Sequence, residues 1–139
     1  MFSVIFPGQG SQLVGMGKDL YEKYSLVKNL FNEADETLGF SLSNLILSGP
    51  KEELDLTENT QPAIFLLSYS IFKLVKEEFN IDLSKASFFA GHSLGEYSAL
   101  ASAGALSFSN TFISSIFLPS SSILSTQIGS STVGSIDEY

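Results

Sequence analysis

A parallel sheet flanked by helices, an α/β fold, is predicted for this chain from three observations. Two short apolar runs, Phe2–Phe6 and Ala86–Ala90, read as buried strands. Apolar positions at helical spacing fill much of the stretch between them. The second run then breaks at once into Gly91-His92-Ser93-Leu94-Gly95 and helix-forming residues, the pattern of a strand turning straight into a helix.

The totals suit such a fold. The 139 residues are 44% hydrophobic and 16% charged, a folded rather than a disordered composition. A formal net charge of −8 with no arginine makes nucleic acid and anionic membrane surfaces poor direct partners. The absence of cysteine removes disulfides, thiolate catalysis and thiolate metal sites, and it fits a cytoplasmic protein. A single histidine excludes a multi-histidine metal site. The N-terminus lacks the basic stretch and the apolar length of a signal peptide.

In chain order, the first strand ends at Pro7 and runs into Gly8-Gln9-Gly10-Ser11-Gln12, a flexible loop with two amide side chains. Two glycines there suit either an ordinary connection or a close approach of backbone to a ligand. In a parallel sheet the loops after the strands gather at the carboxyl edge, which would bring this one beside the second strand's turn. A short helix is expected between Gly15 and Tyr24. Another runs from Ser25 to Leu38 on Leu26, Val27, Leu30, Phe31 and Ala34, and stops at Gly39. Ser41 to Leu47 adds a helical turn or two, closed by Gly49-Pro50. Lys51 to Asn59 reads as a charged, exposed stretch.

With Thr60 as N-cap and Pro62 in the first turn, a long helix is expected from about Gln61 to Phe79. Ile64, Leu67, Ile71, Leu74 and Val75 form its apolar, core-facing stripe. Gln61, at the expected helix start, is the polar residue with a site role. Past the second strand, Ser93 occupies the apex of the turn, where its Oγ would project at the sheet edge. The helix opening at Leu94 would aim N–H groups and its positive dipole end at the same spot. A bare Gly-x-Ser-x-Gly also arises as a structural turn with an incidental serine. The strand-like lead-in and helix-like follow-on favour a nucleophile elbow for acyl transfer. The helix beyond carries Ala99, Ala101 and Ala103 for close packing, and Gly104 ends it.

After Leu106 the character changes. No charged residue occurs between Tyr97 and Ile136, and serines dominate, as in Ser120-Ser121-Ser122 and Ser130-Ser131. The apolar cluster Phe112 to Leu118 is too short and too polar for a membrane span. Two accounts stand: a genuine, weakly ordered tail, or a coding sequence that slipped frame near Ser109.

With Gly8-Gln9-Gly10-Ser11-Gln12, Thr60-Gln61-Pro62-Ala63 and Gly91-His92-Ser93-Leu94-Gly95-Glu96 in this order and spacing, the chain resembles the malonyl-CoA:acyl carrier protein transacylases. The acyltransferase domains of fatty-acid and polyketide synthases are close relatives of that family. The resemblance covers roughly Met1 to Asn110. It implies the N-terminal part of an α/β-hydrolase-like core over residues 1–108 and a ferredoxin-like subdomain beyond, and it fails over the atypical Ser-rich tail, 109–139.

The same resemblance implies that Ser93 is acylated by malonyl-CoA, with the backbone N–H groups of Gln9 and Leu94 as the oxyanion hole. Gln61 and His92 fall among the residues around the substrate, His92 as a packed or hydrogen-bonded neighbour rather than the base. The acyl group would pass to the phosphopantetheine thiol of acyl carrier protein, with no cofactor and no metal. Two parts of the family's machinery are missing. Its general-base histidine lies downstream of this chain's end. Its malonyl-clamping arginine is expected after Gly104-Ala105-Leu106-Ser107-Phe108, where this chain reads Ile113 to Leu118 without one. These gaps leave two classes open: an acyltransferase that is truncated and impaired, or a non-catalytic fragment that binds acyl-CoA or carrier protein without turnover. A serine esterase ranks last, because it needs a histidine further along the chain than this one. A sheet built for more strands also predicts exposed edges and an uncovered face.

Overall fold

In the computed structural model of the chain, the residues described are 2–117, 126–128 and 131–135. The two apolar runs form strands β1 (Ser3–Phe6) and β2 (Phe88–Gly91), paired in parallel with Ser3 opposite Phe88 and Phe6 opposite Gly91. The sheet continues through the segment after the Gly-Ala-Leu-Ser-Phe run. There β3 (Thr126–Ile128) and β4 (Ser131–Ser135) give the order β1-β2-β4-β3, with β4 parallel to β2 and β3 antiparallel to β4. The class is therefore α/β, rich in helix around a small, mostly parallel sheet. The family of that fold is not decided by the strands alone.

Between β1 and β2 come five helices: α1 (Lys18–Lys23), α2 (Ser25–Leu38), α3 (Leu42–Ser48), α4 (Lys51–Leu54) and α5 (Thr57–Glu77). The span expected for α2 is the span observed, and Gly39 closes it in the left-handed region at φ 74°. The charged stretch after Pro50 differs from expectation. It holds helix α4, and Leu54 within it is fully buried against the helical core.

The start of α5 also differs. The helix begins at Thr57, so Thr60 is a helical residue rather than the cap, and Pro62 lies inside the helix. The Thr60 hydroxyl is used differently: it donates to the Leu54 carbonyl at 2.6 Å and ties α5 to the end of α4. Asn59 reinforces the joint by donating to the Glu53 carbonyl at 2.9 Å. A tertiary anchor has overridden the local capping signal.

After a 3₁₀ turn at Leu83–Lys85 and strand β2 come α6 (Gly95–Ser102) and α7 (Phe108–Phe117). Helix α5 serves two apolar clusters. Its Phe65 and Leu66 join Val27, Phe31, Leu42 and Ile46 among the helices. Its Phe72 packs with Phe6 and Phe89 of the sheet, at ring separations of 6.3 and 6.0 Å. Helix α7 belongs to the first cluster: Phe112 is fully buried and meets Phe65 and Phe108 edge-on, each at 4.8 Å. Among the described residues no helix is long and apolar enough to cross a membrane.

One part of the expected core stripe does not close. Ile64 and Leu74 are buried, but Ile71 on the same stripe of α5 is 42% exposed.

Candidate active site

The site begins with three backbone contacts that leave no room for a Cβ. At Gly91, the last residue of β2, an added Cβ would run into the backbone of Gly95 and Glu96 at the start of α6. At Gly95 it would strike the carbonyl of Phe6 at the end of β1. At Gly8 it would sit 2.5 Å from the His92 carbonyl oxygen and 3.0 Å from the His92 ring nitrogen Nδ1. The motif's glycines are thus required by close packing of one backbone on another.

Between Gly91 and Gly95 the chain reverses within a turn. The Gly95 N–H donates to the His92 carbonyl at 2.9 Å, and those of Glu96 and Tyr97 donate to Ser93 and Leu94 at 3.0 and 3.1 Å. Ser93 sits at the apex with φ 52°, a left-handed conformation that costs a non-glycine residue about 1–2 kcal/mol. It is half-buried, so its side chain stands at the surface of the turn rather than in the core. Such strain persists only where the surroundings hold it, and it concentrates at functional positions.

The loop after β1 comes to the same place. The ladder between β1 and β2 ends with the His92 N–H donating to the Phe6 carbonyl at 3.4 Å, and Gly8 then lies against His92. Gln9 is the next residue. The loop braces itself, with the Ser11 hydroxyl donating to the Gly8 carbonyl at 3.0 Å and the Gly10 N–H donating to Gln12 Oε1 at 2.9 Å. It is also tied outward: Gln12 Nε2 donates to Asp55 Oδ1 at 3.1 Å, and Gln9 Nε2 reaches the Thr57 hydroxyl at 3.4 Å. Lys51 pairs with the same Asp55 carboxylate. That ammonium, then the Gln12 amide, hold the Asp55 carboxyl below its ordinary pKa.

The structure brings most of the sequence-predicted positions together. Ser93, Leu94 and His92 share the turn, and Gln9 follows the glycine packed on it. Helix α6 starts at Gly95, one residue later than expected, and Leu94 is its buried N-terminal flank, packed with Ile64 and Tyr97. His92 is exposed. Gln61 is half-buried in the second turn of α5, not at a helix start. Asp55 and Thr57 were not anticipated as supports of the loop. Their contacts span 43 and 48 residues of sequence, and no local pattern announces them. Burial, then the adjacent Glu96, push the Tyr97 phenol upward, so it stays protonated at neutral pH. Among the described residues no three histidine, cysteine, aspartate or glutamate side chains gather where they could hold a metal ion.

Residues 3–119 match the acyl transferase domain family model, past the Asn110 limit drawn from the motifs. The malonyl CoA-acyl carrier protein transacylase of Bacillus subtilis is 56% identical over 104 residues, 75% of this chain and 32% of that protein. The crystal structure of an acyl-carrier-protein-S-malonyltransferase from Bartonella henselae superimposes with a TM-score of 0.78 at 43% identity, over 84% of this chain and 37% of that one. A structure of a type II PKS acyl-carrier protein in complex with its malonyl-transacylase matches at 0.77 and 42% identity, over 83% and 36%. The chain spans about a third of the length of the curated relatives it matches.

Proposed function

The chain belongs to the acyl transferase domain family, and on that premise we propose that it carries the serine end of a malonyl transfer. The surrounding core is, in this reading, the N-terminal part of an α/β-hydrolase-like acyltransferase over residues 1–108. The observation that carries the proposal is the apex serine: Ser93 is held at φ 52° between a strand end and a helix start.

In the reaction, Ser93 Oγ attacks the thioester carbonyl of malonyl-CoA. The C–S bond breaks, the coenzyme A thiol leaves with the serine proton, and a malonyl ester remains on Ser93. The phosphopantetheine thiol of acyl carrier protein then attacks that ester, and the serine hydroxyl is restored. The oxyanion formed in each step is held by the backbone N–H groups of Gln9 and Leu94. The positive end of α6 assists from the same side. Gln61 and His92 border the acyl group. The chemistry is acyl exchange between thiols through an ester, and it draws on no metal or cofactor. The setting that suits these substrates is the cytoplasm.

The carboxylate-binding arginine implied by the family resemblance has no counterpart in the stretch Ile113 to Leu118, where it is expected. The second reading, a binding fragment without turnover, is favoured by the absence of an arginine from that stretch.

Incubation with malonyl-CoA followed by peptide mass spectrometry tests the proposal. The expected result is a malonyl adduct on Ser93 that Ser93→Ala removes. No adduct under conditions that label a full-length relative, or one unaffected by Ser93→Ala, would overturn it. Binding of acyl-CoA without an adduct would establish the second reading.

A further inference from the structure

Gln9 sits between two glycines, and Gln9, Gly10 and Ser11 are all exposed, so packing alone does not set the direction of its N–H. Hydrogen bonds to two side chains of the same loop do. The Ser11 hydroxyl donates to the Gly8 carbonyl at 3.0 Å. That carbonyl belongs to the same planar trans peptide as the Gln9 N–H, and in such a unit the two point in opposite directions. Holding one therefore aims the other. On the far side of Gln9, where Gly10 turns at φ 105°, the Gly10 N–H donates to Gln12 Oε1 at 2.9 Å. Both peptide units joined to the Gln9 Cα are thus clamped.

The geometry points to Ser11 and Gln12 as positioning residues that aim the Gln9 N–H, a role that rests on the reading of that N–H as an oxyanion donor. Neither side chain need touch the acyl group. The half-buried Gln12 is itself oriented from outside the loop. Its Nε2 donates to Asp55 Oδ1 at 3.1 Å, and Lys51 pairs with the other oxygen of that carboxylate. A charged carboxylate only accepts, so it takes the NH₂ end of the Gln12 amide and leaves the oxygen end for the Gly10 N–H. Gly8, in turn, is pinned against the His92 backbone, beside Ser93 in the turn. The direction of the donor is in this way referred both to the end of α4 and to the turn that carries the serine. Such aiming matters because an oxyanion hole works through N–H groups already pointed at the place where charge develops.

Ser11→Ala and Gln12→Leu each remove one side of the clamp at positions outside the core, and Ser11→Thr keeps the hydroxyl. The order parameter and residual dipolar coupling of the Gln9 amide, read by nuclear magnetic resonance, report the clamp without any malonyl chemistry. The order parameter is expected to fall from about 0.85 to below about 0.6 in Ser11→Ala and Gln12→Leu, and to hold in Ser11→Thr. Single-turnover malonylation of Ser93 then reads the consequence. The maximal rate should fall about tenfold to a hundredfold in the first two variants, at an unchanged half-saturating concentration of malonyl-CoA, and Ser11→Thr should restore it. A Gln9 amide equally ordered in every variant overturns the clamp. A loosened amide with an unchanged maximal rate, or a loss confined to half-saturation, overturns its role in the reaction. If the unsubstituted chain forms no malonyl-serine, the oxyanion reading falls and this role with it, while the amide measurements separately decide whether the clamp exists.

Discussion

Gly8 lies against His92: a Cβ placed on Gly8 would stand 2.5 Å from the His92 carbonyl oxygen, a backbone atom that cannot swing away. Gly8→Ala is therefore expected to destabilise the chain by about 1–3 kcal/mol, as overpacking does. It should also lift the Gln9 loop off the turn. The urea midpoint and the exchange rates of the Gly8–Gln12 amides measure both. Unchanged exchange in the loop would show that the contact does not fix its position.

The strained apex gives a second prediction. Ser93→Gly and Ser93→Ala both delete the hydroxyl, but only glycine is at ease at φ 52°. Ser93→Gly should be the more stable of the two by about 1 kcal/mol. Equal urea midpoints would mean that the turn stores no such strain.

A third concerns α7. Phe112 is fully buried and meets two aromatic rings edge-on, so Phe112→Ala should cost about 3–5 kcal/mol. A loss well below that range, read from the same unfolding curves, would show that α7 is not integral to the helical core.

Acid should loosen the loop's outer tie. The Asp55 carboxyl titrates below its ordinary value of 3.8 because Lys51 and then Gln12 favour its charged form. Its contribution is thus fully present above that value and is lost as pH falls through the lower, folded one. Lys51, whose pKa is raised chiefly by the same partner, keeps its charge throughout that window. Nuclear magnetic resonance should show the Gln12 side-chain amide and the Gly10 N–H titrating together in that acid range. Asp55→Ala should abolish the titration. If the two signals move independently, or at the ordinary carboxylate pKa, the tie is not what holds them.

Much of this architecture is legible along the chain, because it rests on local chemistry. The periodic run Ser25–Leu38 with Gly39 after it is a helix with a left-handed stop. The glycines of the turn are where backbones touch. What the chain does not disclose is tertiary. Thr60 and Pro62 look like a helix start, yet the hydroxyl serves Leu54 and the helix opens three residues earlier. Leu54 and Asp55 sit in a charged run that reads as solvent-facing, yet one is core and the other anchors the Gln9 loop through Gln12. Ile71 carries the signature of a core residue. Yet it is 42% exposed, which helical spacing alone does not reveal.

The pairing of Ser3 with Phe88 sets an order of assembly. Every helix from α1 to α5 lies inside the loop that this pairing closes, and contacts among them are comparatively local. Entropy makes the distant pairing the slow event. The helices are accordingly expected to gather first and β1 to dock afterwards, so the serine's surroundings are completed at the end of folding. Pulse-labelled hydrogen exchange should find α2 and α5 protected before Val4–Phe6, and the reverse sequence would refute this.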